Sequence, residues 1–169
     1  ALPFGELVFA RQKLRLLAEL RDLPPGDRIT PIIRALTAVP GSRRYGSLLV
    51  EHPDSDAGKP LAGLARSFAN ALRPALRAEG LLAARDGSPG DRLHACFASG
   101  SHVMLAASTP GDSSPWPLGI PRLRLHHEAP SRSALKLEEA FLVLLDADER
   151  ERLLRPGMTA ADLGAAPGG

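Results

Sequence analysis

Residues 93–107 read Leu93-His94-Ala95-Cys96-Phe97-Ala98-Ser99-Gly100-Ser101-His102-Val103-Met104-Leu105-Ala106-Ala107, two apolar segments separated by a short polar one. The segments Leu93 to Ala98 and Val103 to Ala107 have the length and apolar content of strands. The glycine between them favours a tight reversal of the chain. This stretch predicts a β-hairpin and places a sheet at the centre of the fold.

The segment before the hairpin predicts a helix followed by a strand. Asp27 precedes apolar residues at helical spacing, so we expect it to cap a helix that runs through Val39. Pro40-Gly41 then ends that helix. Leu48 to Glu51 has the composition of a short strand.

A second helix is predicted from Leu61 to Glu79, where apolar residues recur at helical spacing. Pro74 lies inside it, and because an interior proline removes a backbone hydrogen bond, we expect a kinked or split helix. Arg66, Arg73 and Arg77 fall within one sector opposite the apolar stripe. These three arginines are candidate RNA-binding residues.

From Asp27 onward the predicted order is helix, strand, helix, strand, strand, an α+β arrangement in which two helices cover one face of a small sheet. This order is similar to the core of a THUMP domain, an RNA-binding module found beside RNA-modifying catalytic domains. We therefore assign residues 26–125 to a THUMP-like RNA-binding domain. Residues 1–25, in which Leu7 to Phe9 look strand-like, are expected to be a linker or the remainder of a preceding domain.

The segment from Thr109 to Pro121 is rich in proline and contains the one tryptophan, Trp116. Trp116 has two interpretations: stacking on an RNA base, or filling the join between two domains. The strand-like stretch that follows contributes Arg122 and Arg124 as further candidate RNA-binding residues. We assign no metal site, since the adjacent histidines 126 and 127 lack a third ligand at suitable spacing.

The end of the chain carries the most specific motif, Met158-Thr159-Ala160-Ala161-Asp162-Leu163-Gly164-Ala165-Ala166-Pro167-Gly168-Gly169. It predicts a buried strand and a glycine loop, which lets a ligand approach the backbone closely. Its spacing matches neither a dinucleotide fold nor a P-loop. It resembles motif I of the class I methyltransferases, in particular the FtsJ-like RNA 2'-O-methyltransferases. The resemblance implies S-adenosylmethionine contacts from Asp162, Gly164, Ala166, Pro167, Gly168 and Gly169.

A helix is predicted to begin near Ser131 to Ser133 and to contain Lys136 at the border of its apolar face. A single lysine at such a position is usually a surface residue whose stem packs while its ammonium stays solvated. The segment resembles the Ser-Arg-x-x-x-Lys-Leu segment of FtsJ-like enzymes. That resemblance implies that Lys136 is the first lysine of a Lys-Asp-Lys-Glu catalytic set and that Ser133 contacts the cofactor.

Further stretches resemble the large-subunit ribosomal RNA methyltransferase M family: Leu2-Pro3-Phe4, Phe9-Ala10-Arg11-Gln12, Leu23-Pro24-Pro25, Asp27 to Ile32, Leu118 to Leu123 and Ser131 to Phe141. The family often has Cys where this chain has Ala166, a change that a backbone contact tolerates. Membership implies S-adenosylmethionine-dependent methylation of the 2'-hydroxyl of a cytidine in 23S ribosomal RNA.

The resemblance also implies that residues 126–169 begin a Rossmann-like α/β methyltransferase domain, so we expect a truncated fragment that is inactive alone. The remaining catalytic residues of the family would follow Gly169. Two alternatives stay open: a non-catalytic RNA-binding module, and a methyltransferase whose acceptor is a base or a protein.

Charge and composition restrict the class of protein and the kind of partner. Residues 1–125 carry 16 Lys and Arg against 11 Asp and Glu, whereas residues 126–169 carry 5 against 8. The basic first part suggests a polyanionic partner, although arginine-rich overall composition explains it equally well. The family resemblance implies that this partner is 23S ribosomal RNA or its precursor. The single cysteine excludes an intrachain disulfide. No apolar run approaches the length of a membrane span, and we expect a cytoplasmic monomer.

Overall fold

A computed structural model describes residues 2–41, 44–124, 133–159 and 161. The chain divides into two compact units, Ala1–Ile120 and Pro121–Gly169. The strands are β1 (Arg15–Leu20), β2 (Ser47–Glu51), β3 (Arg92–Ser99) and β4 (His102–Ser108). The helices are α1 (Ile29–Thr37), α2 (Leu61–Ala78), α3 (Ser133–Leu144) and α4 (Ala147–Leu153), with short 3₁₀ turns at Phe4–Glu6 and Pro117–Gly119.

The four strands form one sheet in the order β1-β4-β3-β2. β3 and β4 are the predicted hairpin, with Ser99 opposite His102, so the strands run further toward the turn than the sequence indicates. β2 pairs with β3 in parallel through the α2 crossover, and β1 pairs with β4 antiparallel. The mixed α/β character and the hairpin are confirmed.

Both helices of the first unit pack on the same face of this sheet. Their buried residues join alternate residues of the strands in one core, as strand geometry requires. Phe68 of α2 and Phe97 of β3 meet edge to face, with ring centroids 5.1 Å apart, a geometry that aromatic pairs favour. The predicted covering of one sheet face by two helices is confirmed.

The predicted capping residue of the first helix acts as expected. The Asp27 carboxylate accepts hydrogen bonds from the backbone N–H groups of Ile29 and Thr30, and these bonds hold the pKa of Asp27 below its ordinary value. The helix ends at Thr37, before the predicted Val39. Asp27 therefore fixes where α1 begins.

α2 is one helix that includes Pro74, so the predicted split is not found. Pro74 is exposed, while Leu72 and Leu76 on either side of it are fully buried. Burial of those two leucines holds both halves of α2 against the sheet. Tertiary packing thus offsets the missing backbone hydrogen bond of the proline.

The first 25 residues differ from the expected linker. Leu7 to Phe9 form a turn, not a strand, and Phe9 is 99% exposed. Arg15–Leu20, whose apolar pattern is ambiguous, is instead the edge strand β1 of the same sheet. Its partner β4 lies more than 80 residues along the chain, so local sequence patterns do not reveal the pairing.

The second unit contains α3 and α4. A capping box starts α4: the Asp146 carboxylate accepts from Glu149 N, and Glu149 accepts from Asp146 N. Arg150 donates to the carbonyl of Leu145 at the end of α3. Residues 122–124 are not a strand, against the prediction, and Leu125 lies outside the described residues. The described part of the predicted C-terminal strand, residues 158, 159 and 161, has no strand structure either.

Candidate functional site

The three arginines predicted to share a face of α2 all lie on that one helix. Arg73 and Arg77 are both paired with Asp86: Arg73 Nη1 donates to one carboxylate oxygen, and Arg77 Nη2 to the other at 3.1 Å. Arg77 Nε also donates to the carbonyl of Ala83 at 3.0 Å. Arg66 is exposed and makes no ion pair with another described residue. Two of the three predicted charges are thus partly neutralised.

A shallow cavity of about 360 Å³ lies beside this arginine row. Its walls are Arg44, Ala83, Ser88 and Pro89. The loop that forms it is fastened by backbone hydrogen bonds to the segment before β2. Because Arg77 binds the carbonyl of Ala83, the arginine row and the cavity share a residue.

A buried polar chain crosses the sheet on the face opposite the helices. His94 Nδ1 and Glu51 Oε2 are 2.8 Å apart, and His94 Nε2 and Ser108 Oγ are 2.8 Å apart. The three residue types match a Ser-His-Glu nucleophilic triad. All three residues are at most 5% exposed, however, so no substrate reaches the hydroxyl. This chain of residues is structural.

Glu51 extends the buried chain to neighbouring groups. Its second oxygen accepts the backbone N–H of Leu118 at 2.6 Å, and the Cys96 thiol lies 3.4 Å from the first. Burial raises the pKa of Glu51, but the hydrogen bonds from His94 and Leu118 outweigh it and leave the pKa below its ordinary value. Burial and the Glu51 carboxylate raise the pKa of Cys96 to about 12, which makes the thiol a poor nucleophile.

The segment around Trp116 is held against the N-terminal residues of the chain. The Gln12 side-chain amide donates to the carbonyl of Ser114 at 3.1 Å and accepts its N–H at 3.0 Å. Asp112 accepts the N–H of Phe4 at 2.6 Å and pairs with Lys13. Trp116 is half-buried at this junction. Base stacking and domain joining both stay predictions for Trp116.

Ser133 and Lys136 lie on the first turn of α3, three residues apart and both exposed. Residues three apart on a helix share a face, so the hydroxyl and the ammonium are presented together. The other predicted cofactor residues, Asp162, Gly164, Ala166, Pro167, Gly168 and Gly169, lie outside the described residues.

Within the described ranges, no cluster of three or more His, Cys, Asp or Glu side chains suits a metal ion. The two adjacent histidines of the sequence are outside those ranges. None of the described helices is long and apolar enough to span a membrane.

Several known proteins are similar to this chain. The profile described as "Ribosomal RNA large subunit methyltransferase M, N-terminal" matches residues 27–109. The ribosomal RNA large subunit methyltransferase M of Xanthomonas campestris pv. campestris (strain B100) is 66% identical over 168 residues, which cover 99% of this chain and 48% of the relative. Its counterpart from Xanthomonas oryzae pv. oryzae (strain KACC10331 / KXO85) is 64% identical over the same shares. The chain belongs to the ribosomal RNA large subunit methyltransferase M family.

The family predicted from the sequence motifs is therefore confirmed. The chain spans about half the length of the curated relatives it matches. The profile covers α1, β2, α2, β3 and β4 in full. It therefore coincides with the helix-bearing part of the first unit.

Sequence reasoning missed Arg44, Asp86 and the buried Glu51–His94–Ser108 chain of this family member. Arg44 lies in a loop without periodicity, and the one available signal is the Arg43-Arg44 pair. Glu51 stands at the end of an apolar strand, where a charged residue is normally solvated. Asp86 stands in a turn-rich stretch whose position relative to α2 depends on the fold.

Proposed function

We propose that this chain is part of an enzyme that uses S-adenosylmethionine to methylate the ribose 2'-hydroxyl of a cytidine in 23S ribosomal RNA. The observation that carries the proposal is the 66% identity to a curated large-subunit ribosomal RNA methyltransferase along nearly the whole chain. The motif resemblances from Ser131 to Phe141 and from Asp162 to Gly169 support ribose as the acceptor and S-adenosylmethionine as the donor.

The two units correspond to a division of labour in this proposal. Residues 26–125 form a THUMP-like domain that holds RNA, and residues 126–169 begin a Rossmann-like methyltransferase domain. Support comes from the element order of the first unit and from the unit boundary between Ile120 and Pro121, close to the proposed one. Residues 15–20 pair with β4, so β1 belongs to the RNA-holding unit.

The RNA-holding role rests on a basic surface. Arg66, Arg73 and Arg77 line one side of α2, and exposed Arg122 and Arg124 are further candidates in the second unit. Arginines bind phosphates through bidentate hydrogen bonds, which supply affinity without reading sequence. Since Asp86 already engages Arg73 and Arg77, an RNA phosphate must compete with that carboxylate for the two guanidinium groups. We therefore assign Arg66 the larger share of affinity on α2.

Methyl transfer needs a positioned hydroxyl and stabilisation of its developing negative charge, since a ribose hydroxyl is a poor nucleophile at neutral pH. S-adenosylmethionine, when bound, supplies an electrophilic methyl group on a sulfonium. Ser133 would hold the cofactor, and Lys136, one turn along the same face, would hold the alkoxide oxygen with its ammonium. The exposed first turn of α3 fits this arrangement because neither side chain is committed to a core.

The test is a single-turnover methylation assay with unmodified 23S ribosomal RNA and a protein that extends this chain to its relatives' full length. Lys136→Ala is expected to lower the rate about 10²- to 10³-fold, the usual cost of losing one donor to a developing oxyanion. Cofactor affinity and thermal stability should stay near wild type. Lys136→Arg should recover little, because the planar guanidinium places its donors differently from the compact ammonium of lysine.

Lys59→Ala is the matched control, because Lys59 is also an exposed lysine and its only described ion pair is with neighbouring Asp56. It should methylate at the wild-type rate. A Lys136→Ala protein that methylates as fast as Lys59→Ala contradicts the catalytic assignment. Transfer of the methyl group to a base, detected by nucleoside mass spectrometry, contradicts the ribose acceptor.

A further inference from the structure

The cavity beside α2 is lined by one cationic side chain, that of Arg44. The Arg44 guanidinium makes no hydrogen bond or ion pair with any other residue that the structure describes. Arg73 and Arg77, by contrast, are engaged by Asp86. A guanidinium carries five N–H donors, and those of Arg44 are available to a ligand.

The cavity is preformed by the backbone. Tyr45 donates its N–H to the carbonyl of Leu81 and accepts from the N–H of Ala83, at 2.9 and 2.8 Å. Gly46 donates its N–H to the carbonyl of Asp91 at 2.8 Å. A Cβ on Gly46 would lie 2.1 Å from the carbonyl oxygen of Ser88, so only glycine permits this approach. A rigid wall lowers the entropic cost of binding.

The charges around the cavity favour an anion. Arg44 lines the cavity, and Arg77, which also pairs with Asp86, donates to the carbonyl of Ala83 in its wall. Asp91, the next acidic residue along the chain, accepts a hydrogen bond from Thr109 and lies 4.0 Å from Arg15. The one charged residue that lines the cavity is therefore a cation, which attracts phosphate.

The size and the walls restrict the ligand further. A volume of about 360 Å³ lies at the small end of the range for small-molecule sites. Ala83 and Pro89 provide apolar surface, and Ser88 provides a hydroxyl that donates to Arg85 O and can still accept. An apolar wall beside a cation suits a base and its phosphate. Duplex RNA keeps its bases stacked inside, whereas a single strand can splay one out.

We propose that this cavity binds one nucleotide of single-stranded RNA, with the phosphate on Arg44 and the base against Ala83 and Pro89. The proposal rests on the proposed function, since it specifies which form of RNA the first unit holds. It adds a specific pocket to a surface that otherwise offers phosphate contacts alone.

The first experiment measures the anisotropy of a fluorescein-labelled, unstructured RNA oligonucleotide with the 169-residue chain at 50 and 200 mM salt. Arg44→Ala should weaken binding about tenfold, as expected for lost hydrogen bonds to a charged group. It should also reduce the salt slope by about 0.7, the value for one phosphate contact on a single strand. Arg34→Ala, at an exposed arginine of α1, is the matched control and should bind as wild type.

The second experiment needs no variant, so it stays informative if Arg44→Ala fails to fold. Cytidine monophosphate is titrated into ¹⁵N-labelled wild-type chain, and the amide resonances of Arg44, Ala83 and Ser88 are followed. These resonances should shift in a saturable manner, while those of α1 should stay in place. Absence of shifts at all three amides overturns the proposal.

The outcomes separate this proposal from the function on which it rests. If wild-type chain binds the oligonucleotide and only the combined Arg66, Arg73 and Arg77→Ala variant weakens it, the pocket is wrong and the RNA-holding surface stands. If wild-type chain binds no RNA at 50 mM salt, the RNA-holding role of the first unit fails and the pocket fails with it. Tighter binding of duplex than of single strand also overturns the pocket.

Discussion

The two units differ in how far they bury their apolar side chains. Every buried hydrophobic residue of the described chain lies in the first unit. α3 and α4 bury none, and Leu137 and Leu144 of α3 are 58% and 76% exposed. An amphipathic helix gains most of its stability from packing its apolar face. The first unit thus obtains its core from its own residues, whereas the described contacts of the second unit are polar ones: the capping box of α4 and the bond from Arg150 to the carbonyl of Leu145.

The largest expected effect is on the free energy of unfolding of the first unit. Phe97→Ala should lower it by about 3–5 kcal/mol, because it empties a fully packed site that includes the edge-to-face contact with Phe68. Leu144→Ala, in the exposed face of α3, should change the free energy of unfolding of the second unit by less than about 0.5 kcal/mol. Urea unfolding followed by near-ultraviolet circular dichroism measures both. Equal costs would show that the two units do not differ in packing.

The two units can also be compared through one hydrogen-bonded glutamate in each, Glu51 in the first and Glu149 in the second. Glu51→Ala should cost about 2–4 kcal/mol, since it leaves buried donors at His94 and Leu118 without an acceptor. Glu149→Ala removes one bond of the exposed capping box of α4 and should cost about 0.5–1 kcal/mol. Thermal unfolding of each variant gives the comparison. A Glu51→Ala protein as stable as Glu149→Ala would mean that the buried chain contributes nothing.

Two glycines in the left-handed region test backbone packing. Gly119 has φ +69°, and a Cβ there would lie 1.7 Å from the carbonyl oxygen of Arg11. Gly157 has φ +85° and open space around it. Gly157→Ala should cost about 1 kcal/mol, from the left-handed conformation alone. Gly119→Ala should cost about 2 kcal/mol, because the segment against Arg11 must also move. Differential scanning calorimetry resolves the difference, and identical costs would contradict the close approach.

The smallest expected effect is a pH dependence that arises in the first unit. The folded state lowers the pKa of Glu51 from 4.5, so its carboxylate contributes stability above pH 4.5. That contribution is lost as the pH falls through the lowered value. The difference in urea midpoint between wild type and Glu51→Gln should therefore be largest near pH 6 and should shrink below pH 4.5. A difference that is constant from pH 6 to pH 3 would contradict this titration.

Most of the first unit follows from local patterns. The α2 stripe has a helical period, the β3–β4 hairpin has two apolar runs around a glycine, and Asp27 precedes its helix. Each signal is contained within about 20 residues, so propensity and periodicity detect it. β1 is different, because an edge strand is defined by its partner β4 and not by its own composition.

In the candidate site, too, some features follow from local sequence and others depend on residues distant in the chain. Ser133 and Lys136 lie on one helical turn, and the sequence alone indicates both their spacing and the family to which they belong. Arg73 and Arg77 are also one turn apart on a helix. Their pairing with Asp86, however, requires the loop after α2 to fold back against that helix. A charge pattern on a helix predicts which side chains share a face, but not what neutralises them.

The sequence by itself therefore determined the family, the helices with clear periodicity and the hairpin, because these depend on residues close together in the chain. Only the tertiary structure decided the place of β1 in the sheet, the continuity of α2 through Pro74, the buried Glu51–His94–Ser108 chain and the position of Arg44 in the wall of a cavity. Each of these depends on segments distant in sequence, and the free energy of packing them together overrides or completes the local preference.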